Sequence, residues 1–87
     1  MYEVRLSQRA SQYYARVSSD TARRLNRCLE ALVKDPLAGG DIRRVQGVKG
    51  LYRFRVGNLR VIYEVDTKQR IVKVSAILPR GEAYRRL

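Results

Sequence analysis

Arginines at positions 53, 55 and 60 surround a Gly57-Asn58 pair in the stretch YRFRVGNLRVIYEV, residues 52–65. Guanidinium groups suit one kind of chemistry: they hold and neutralise phosphate, and they do not release their proton in proteins. The chain has no histidine and a single cysteine, Cys28. A Ser-His-Asp triad, a Cys-His pair, a zinc centre and an intramolecular disulfide are thereby excluded. Any acid–base work falls to Arg, Lys, Tyr, Asp or Glu, or to the substrate itself.

The spacing says where those arginines stand. A two-residue Gly57-Asn58 loop sets the hairpin register: Val56 opposite Leu59, Arg55 opposite Arg60, Phe54 opposite Val61, Arg53 opposite Ile62 and Tyr52 opposite Tyr63. Alternation then gives one apolar face (Tyr52, Phe54, Val56, Leu59, Val61, Tyr63) and one face with Arg53, Arg55, Arg60, Ile62 and Glu64. Arg55 directly opposite Arg60 is a like-charge pair, unfavourable for stability alone. On those two strands only Glu64 offers compensation. A single arginine on a solvated face can simply cover apolar surface with its stem. Repetition of the same charge argues instead for a polyanion.

The net charge of +11 supports this, because it is lopsided. Residues 1–42 hold seven Lys and Arg against five Asp and Glu, whereas residues 43–87 hold twelve against three. A basic half implies a surface for an anion, with nucleic acid first and an acidic protein second. No helical segment is both strongly basic and rich in exposed aromatics, so a membrane surface ranks below both. No apolar run approaches a bilayer span, and charges in MYEVRLSQRA stand where a signal peptide needs an apolar run. The expected location is cytoplasmic.

Eighty-seven residues predict one domain, 1–87. Tyr2, Val4 and Leu6 alternate as a short strand. Ser7 then caps a helix with Ala10, Tyr13, Tyr14 and Val17 on one face, and Ser18-Ser19 opens a second helix running to Lys34. Its stripe is Ala22, Leu25, Cys28, Leu29, Leu32 and Val33, and Asp35-Pro36 ends it. Leu37–Gly50 shows no period and reads as a loop. Strands follow at 51–56, 59–66 and 70–78, the last two joined by a tight turn at Thr67-Lys68. That turn puts Val72, Val74 and Ala76 on the apolar face, and Ile71, Lys73, Ser75 and Ile77 with the arginines. The expected fold is α+β, an N-terminal strand and helical hairpin followed by a three-stranded antiparallel meander, with the helices on the Tyr/Phe/Val face.

Other polar candidates carry less. Arg80 follows the last strand at the rim of the arginine face. Tyr84, in a polar tail, has two readings: a nucleobase stack or hydroxyl donor, or a clasp onto the sheet. Tyr13, Tyr14, Tyr52, Tyr63 and Cys28 read as core or its edge, and Glu64 and Glu82 as partners for arginine.

The string from Tyr52 to Tyr63, with the DP stop before it and the strand-R-x-x-x-Y tail after it, resembles the RelE/ParE superfamily of toxins from type II toxin–antitoxin pairs. The resemblance covers nearly the whole chain and implies a RelE-like fold. For RelE-type members it implies a metal-independent endoribonuclease that cleaves mRNA in the ribosomal A site without a cofactor. The substrate's 2′-OH attacks the adjacent phosphate, and an antitoxin encoded nearby holds the protein in check. The matched positions are Arg53, Arg55, Arg60, Arg80 and Tyr84; Arg55, Arg60, Arg80 and Tyr84 are the expected catalytic set, and Arg53 with Lys73, Arg85 and Arg86 the expected RNA-binding set. Some relatives carry lysine on the second strand, where this chain has Arg53 and Arg55, and others use a Glu/His pair that it lacks. The alternative is a ParE-like inhibitor of DNA gyrase that binds protein and cuts nothing.

Overall fold

The structure, a computed structural model, describes residues 1–79. In chain order the elements are β1 (Glu3–Leu6), α1 (Gln8–Arg16), α2 (Ser19–Lys34), β2 (Ile42–Arg44), β3 (Leu51–Val56), β4 (Leu59–Asp66) and β5 (Ile71–Pro79). They form an α+β fold with one five-stranded sheet in the order β1-β5-β4-β3-β2. β3, β4 and β5 are the antiparallel meander, and β1 joins it by pairing parallel to β5.

Both helices begin where a serine can satisfy an orphan backbone donor. Ser7 Oγ accepts from the Ala10 N–H at 3.1 Å and donates to the Ser75 carbonyl at 2.8 Å, so the α1 cap is tied to β5. Ser18 Oγ accepts from the Thr21 N–H at 3.2 Å, which restarts the helix after the extended Val17. After α2, Asp35 Oδ1 accepts from the Leu37 N–H at 3.0 Å and fixes the turn around Pro36.

The helices cover one side of the sheet. Leu25, Cys28 and Leu32 of α2 and Ala10 of α1 pack with Val61, Tyr63, Val72, Val74 and Ile77. Tyr63 is fully buried, stacks on Tyr52 and donates its hydroxyl to the Pro36 carbonyl at 2.7 Å. Burial pushes the Tyr63 phenol well above its usual range, with smaller contributions from Cys28, Tyr52 and Asp35. Burial likewise pushes the Cys28 thiol up to about 12, helped by the nearby Asp41 charge.

Those two shifts predict a pH dependence. The folded protein keeps the thiol and phenol protons that the unfolded chain loses near 9.0 and 10.0. Their contribution is whole below pH 9.0 and is lost as pH climbs through the raised folded values. The urea midpoint is therefore expected to fall above that pH, and Cys28→Ala to remove part of the fall. A midpoint that stays flat into the alkaline range would contradict this burial.

Three expectations need correction. The segment 37–50 is not all loop: Ile42–Arg44 adds a fifth, edge strand antiparallel to β3. The β4–β5 connection is four residues long, since Asp66 pairs with Ile71. Asp66 Oδ1 accepts from the Lys68 and Gln69 N–H groups, and Arg70 turns the chain at φ 57°. Lastly, Ala76 and Ile77 exchange faces. Tyr63 pairs with Val74 but Ile62 with Ala76, so Ser75 is an extra residue in β5. Such a bulge reverses the alternation beyond it. Ile77 joins the helix-side core, while Ala76 and Leu78 pack with Leu51 and Ile62 on the arginine side.

Candidate nucleic-acid interface

The β3–β4 hairpin has the register that its two-residue loop dictates, with Arg55 opposite Arg60 and Arg53 opposite Ile62. Gly57 alone in that loop takes a positive φ, 57°, the arrangement of a turn with glycine first. A Cβ there would stand 3.3 Å from the flexible end of Arg24, so it is the positive φ rather than space that makes position 57 unfavourable for larger residues.

The edge strand completes the site. β2 pairs Arg43 with Arg53, and one step further along the same ladder Asp41 lies against Arg55, whose N–H donates to the Asp41 carbonyl at 2.9 Å. Gly40, Asp41, Arg43, Arg53, Arg55 and Arg60 enclose a hollow of about 250 Å³. Among the described residues, four guanidinium groups and one carboxylate line it. Larger clefts of about 370, 510 and 610 Å³ have mixed linings without such a concentration of charge.

The arginines are not equivalent. Arg60 forms the floor, 8% exposed, with Nη1 donating to the Leu59 carbonyl at 3.0 Å. Arg43 is held by its own backbone, Nη1 donating to the Gly40 and Ile42 carbonyls at 3.0 and 2.9 Å. Arg55 is exposed, and Asp41 Oδ1 accepts from its Nη2 at 3.0 Å and its Nε at 3.3 Å. Compensation for the Arg55/Arg60 opposition thus comes from the neighbouring strand. Glu64 lies elsewhere, opposite Lys73 and Leu51.

Of the sequence-derived candidates, Arg53, Arg55 and Arg60 come together. Lys73 stands apart, its backbone neighbours being Glu64 and Arg5. Arg80, Tyr84, Arg85 and Arg86, and Glu82 with them, lie outside the described residues. Asp41 and Arg43 were not anticipated. Their signal is a charged–Ile–charged alternation, too brief among glycines to mark a strand.

Residues 4–84 match the family described as ParE toxin of type II toxin-antitoxin system, parDE. The chain belongs to this family, within the RelE/ParE superfamily, and is a toxin of the type II toxin–antitoxin class. Its fold is similar to that of RelE in the archaeal RelE–RelB complex from Pyrococcus horikoshii OT3. The TM-score is 0.82 at 27% identity, over 92% of this chain and 96% of that one. The isolated E. coli RelE toxin shares the fold at TM-score 0.80 and 18% identity, over 99% and 98% of the two chains. The YoeB/ParE toxin from Agrobacterium tumefaciens does so at 0.78 and 17%, over 88% and 96%. No curated protein matches the sequence. Among the described residues, no helix is long and apolar enough to cross a membrane.

Proposed function

We propose that this toxin is a ribosome-dependent endoribonuclease that cuts mRNA and so stops translation. The observation that carries the reading is the hollow in which Arg43, Arg53, Arg55 and Arg60 meet. A phosphodiester seated there becomes the site of attack by the neighbouring 2′-OH. The 2′-O–P bond forms, the P–O5′ bond breaks, and the products are a 2′,3′-cyclic phosphate and a 5′-OH end. The pentacovalent phosphorane gains negative charge, and fixed guanidinium groups stabilise it more than the ground state. None of these arginines takes the 2′-OH proton, since guanidinium stays protonated. Arg80 and Tyr84, matched from the family's tail, are proposed to complete the catalytic set, with Lys73, Arg85 and Arg86 extending the path for RNA. The protein's part is largely to place the 2′-OH in line and to neutralise charge.

Primer extension on a translated message, with and without the induced protein, tests the reading. Discrete in-frame cuts bearing 5′-OH ends are expected, and their absence in cells that stop growing would sink it. The match to ParE toxins favours a second reading, inhibition of DNA gyrase without RNA cleavage. Loss of supercoiling activity in a purified gyrase assay, with messages left intact, would establish that reading instead.

The Pyrococcus horikoshii relative was solved in complex with RelB, which supports an antitoxin partner encoded nearby. The partner's task is to mask a basic face, and an acidic or amphipathic segment that folds across the sheet does so.

A further inference from the structure

We infer that Asp41 is a specificity-determining residue: an internal counterion that occupies Arg55 and weakens the toxin's hold on bulk single-stranded RNA. The inference rests on the RNA-binding reading of the same face. Asp41 is anchored twice to one residue, its carbonyl accepting from the Arg55 N–H at 2.9 Å and its carboxylate from the Arg55 side chain at 3.0 Å. Among the described residues it is the one carboxylate lining the hollow. Its position, just before β2, extends the row Arg55–Arg60–Leu78 across β3, β4 and β5, with the carboxylate at the open end and the buried arginine inside.

Both members of the pair keep large exposure, 63% for the Arg55 side chain and 48% for that of Asp41. An exposed pair of this kind is weak and screened by salt. It is therefore a displaceable clamp. A phosphate driven into the hollow by other contacts, such as those a ribosome supplies, exchanges with the carboxylate for Arg55. A loose strand offers no such drive and meets a hollow in which Arg55 is already matched. Loose RNA thus binds with fewer phosphate contacts than the four arginines suggest. A general consequence follows, because each phosphate contact to single-stranded nucleic acid contributes about 0.7 to the slope of log affinity against log salt.

The test is fluorescence anisotropy of the purified toxin with a short fluorescein-labelled oligouridine over a range of salt. Asp41→Asn is expected to steepen the slope by about 0.7 and to tighten binding at low salt by roughly threefold or more. Asp41→Glu keeps the charge and should keep the wild-type slope. Asp41→Ala provides a second neutral variant, because the backbone bond to Arg55 survives either change. A merely structural Asp41 lowers thermal stability and leaves the slope alone. An unchanged slope in a folded neutral variant therefore overturns the inference, whatever happens to stability. Arg53→Ala serves as the control for the face itself. If it binds like wild type, the RNA reading fails and takes the inference with it. If it binds weakly while the neutral Asp41 variants match wild type, the inference alone fails.

Discussion

Replacing Arg60 by alanine is expected to slow message cleavage by about 10²–10³-fold, the usual effect of removing one preorganised donor from a charge-stabilising site. Arg60 sits at the floor of the hollow at 8% exposure, where water screens least. Its Nη1 bond to the Leu59 carbonyl fixes the guanidinium before substrate arrives. A preorganised cation has no reorganisation to undergo as charge develops. The fold should survive, because the substitution relieves the direct opposition to Arg55 in the adjacent strand. Arg60→Lys should fall between the two, since it keeps the charge and loses the planar fork. Single-turnover cleavage on programmed ribosomes measures the effect, with circular dichroism confirming the fold. A folded Arg60→Ala protein that still cuts and kills at wild-type levels means that the hollow is not the reacting centre. The gyrase reading then gains.

Leu25→Ala is expected to cost about 2–5 kcal/mol, against a total of about 5–15 for a domain of ordinary stability. Leu25 is fully buried and belongs to the cluster that also holds Leu32, Tyr63, Val72 and Val74. Removing its branched end leaves a void between α2 and the sheet. Arg60→Ala and Leu25→Ala thus separate two ways of losing toxicity. The first abolishes chemistry in a protein that unfolds normally in urea. The second lowers the urea midpoint, followed by tyrosine fluorescence, and reduces toxicity through loss of folded protein. A shift below about 1 kcal/mol would show that α2 is not clamped as these contacts require.

Much of the site was legible because a two-residue loop leaves no freedom of register. Once Gly57-Asn58 was recognised, each residue from Tyr52 to Tyr63 had a partner and a face, and the structure keeps them all. The serine caps were legible for a similar reason: a cap is a local bond between neighbours in sequence. What escaped was non-local. Arg43 reaches the site on a strand of three residues and Asp41 just before it, and periodicity has too few positions there to register. Nothing in the residues near Arg55 indicates that its carboxylate partner lies fourteen positions earlier.

The bulge at Ser75 escaped differently. Alternation carries Val72 and Val74 to the right face, and one inserted residue then reverses the parity. The consecutive run Ala76-Ile77-Leu78 is the trace it leaves, since three adjacent apolar residues suit a strand covered on both sides. The apolar patch on the arginine side, Leu51, Ile62, Ala76 and Leu78, follows directly from that reversal.

The parallel pairing of β1 with β5 bears on the order of synthesis. Glu3 finds its partner at Ile71, so the first strand made waits for the last described one before it has a neighbour in the sheet. Contacts so distant in sequence close late, after the entropy of the intervening loop has been overcome. The β3–β4 hairpin that carries Arg53, Arg55 and Arg60 is local, yet β5 pairs along β4 and supplies Val72, Val74 and Ile77 to the core beneath it. Until β5 has been made, the arginines lie in a hairpin whose β4 edge has no neighbour. The shape proposed to act on ribosomes is therefore acquired only after the chain has been made as far as β5.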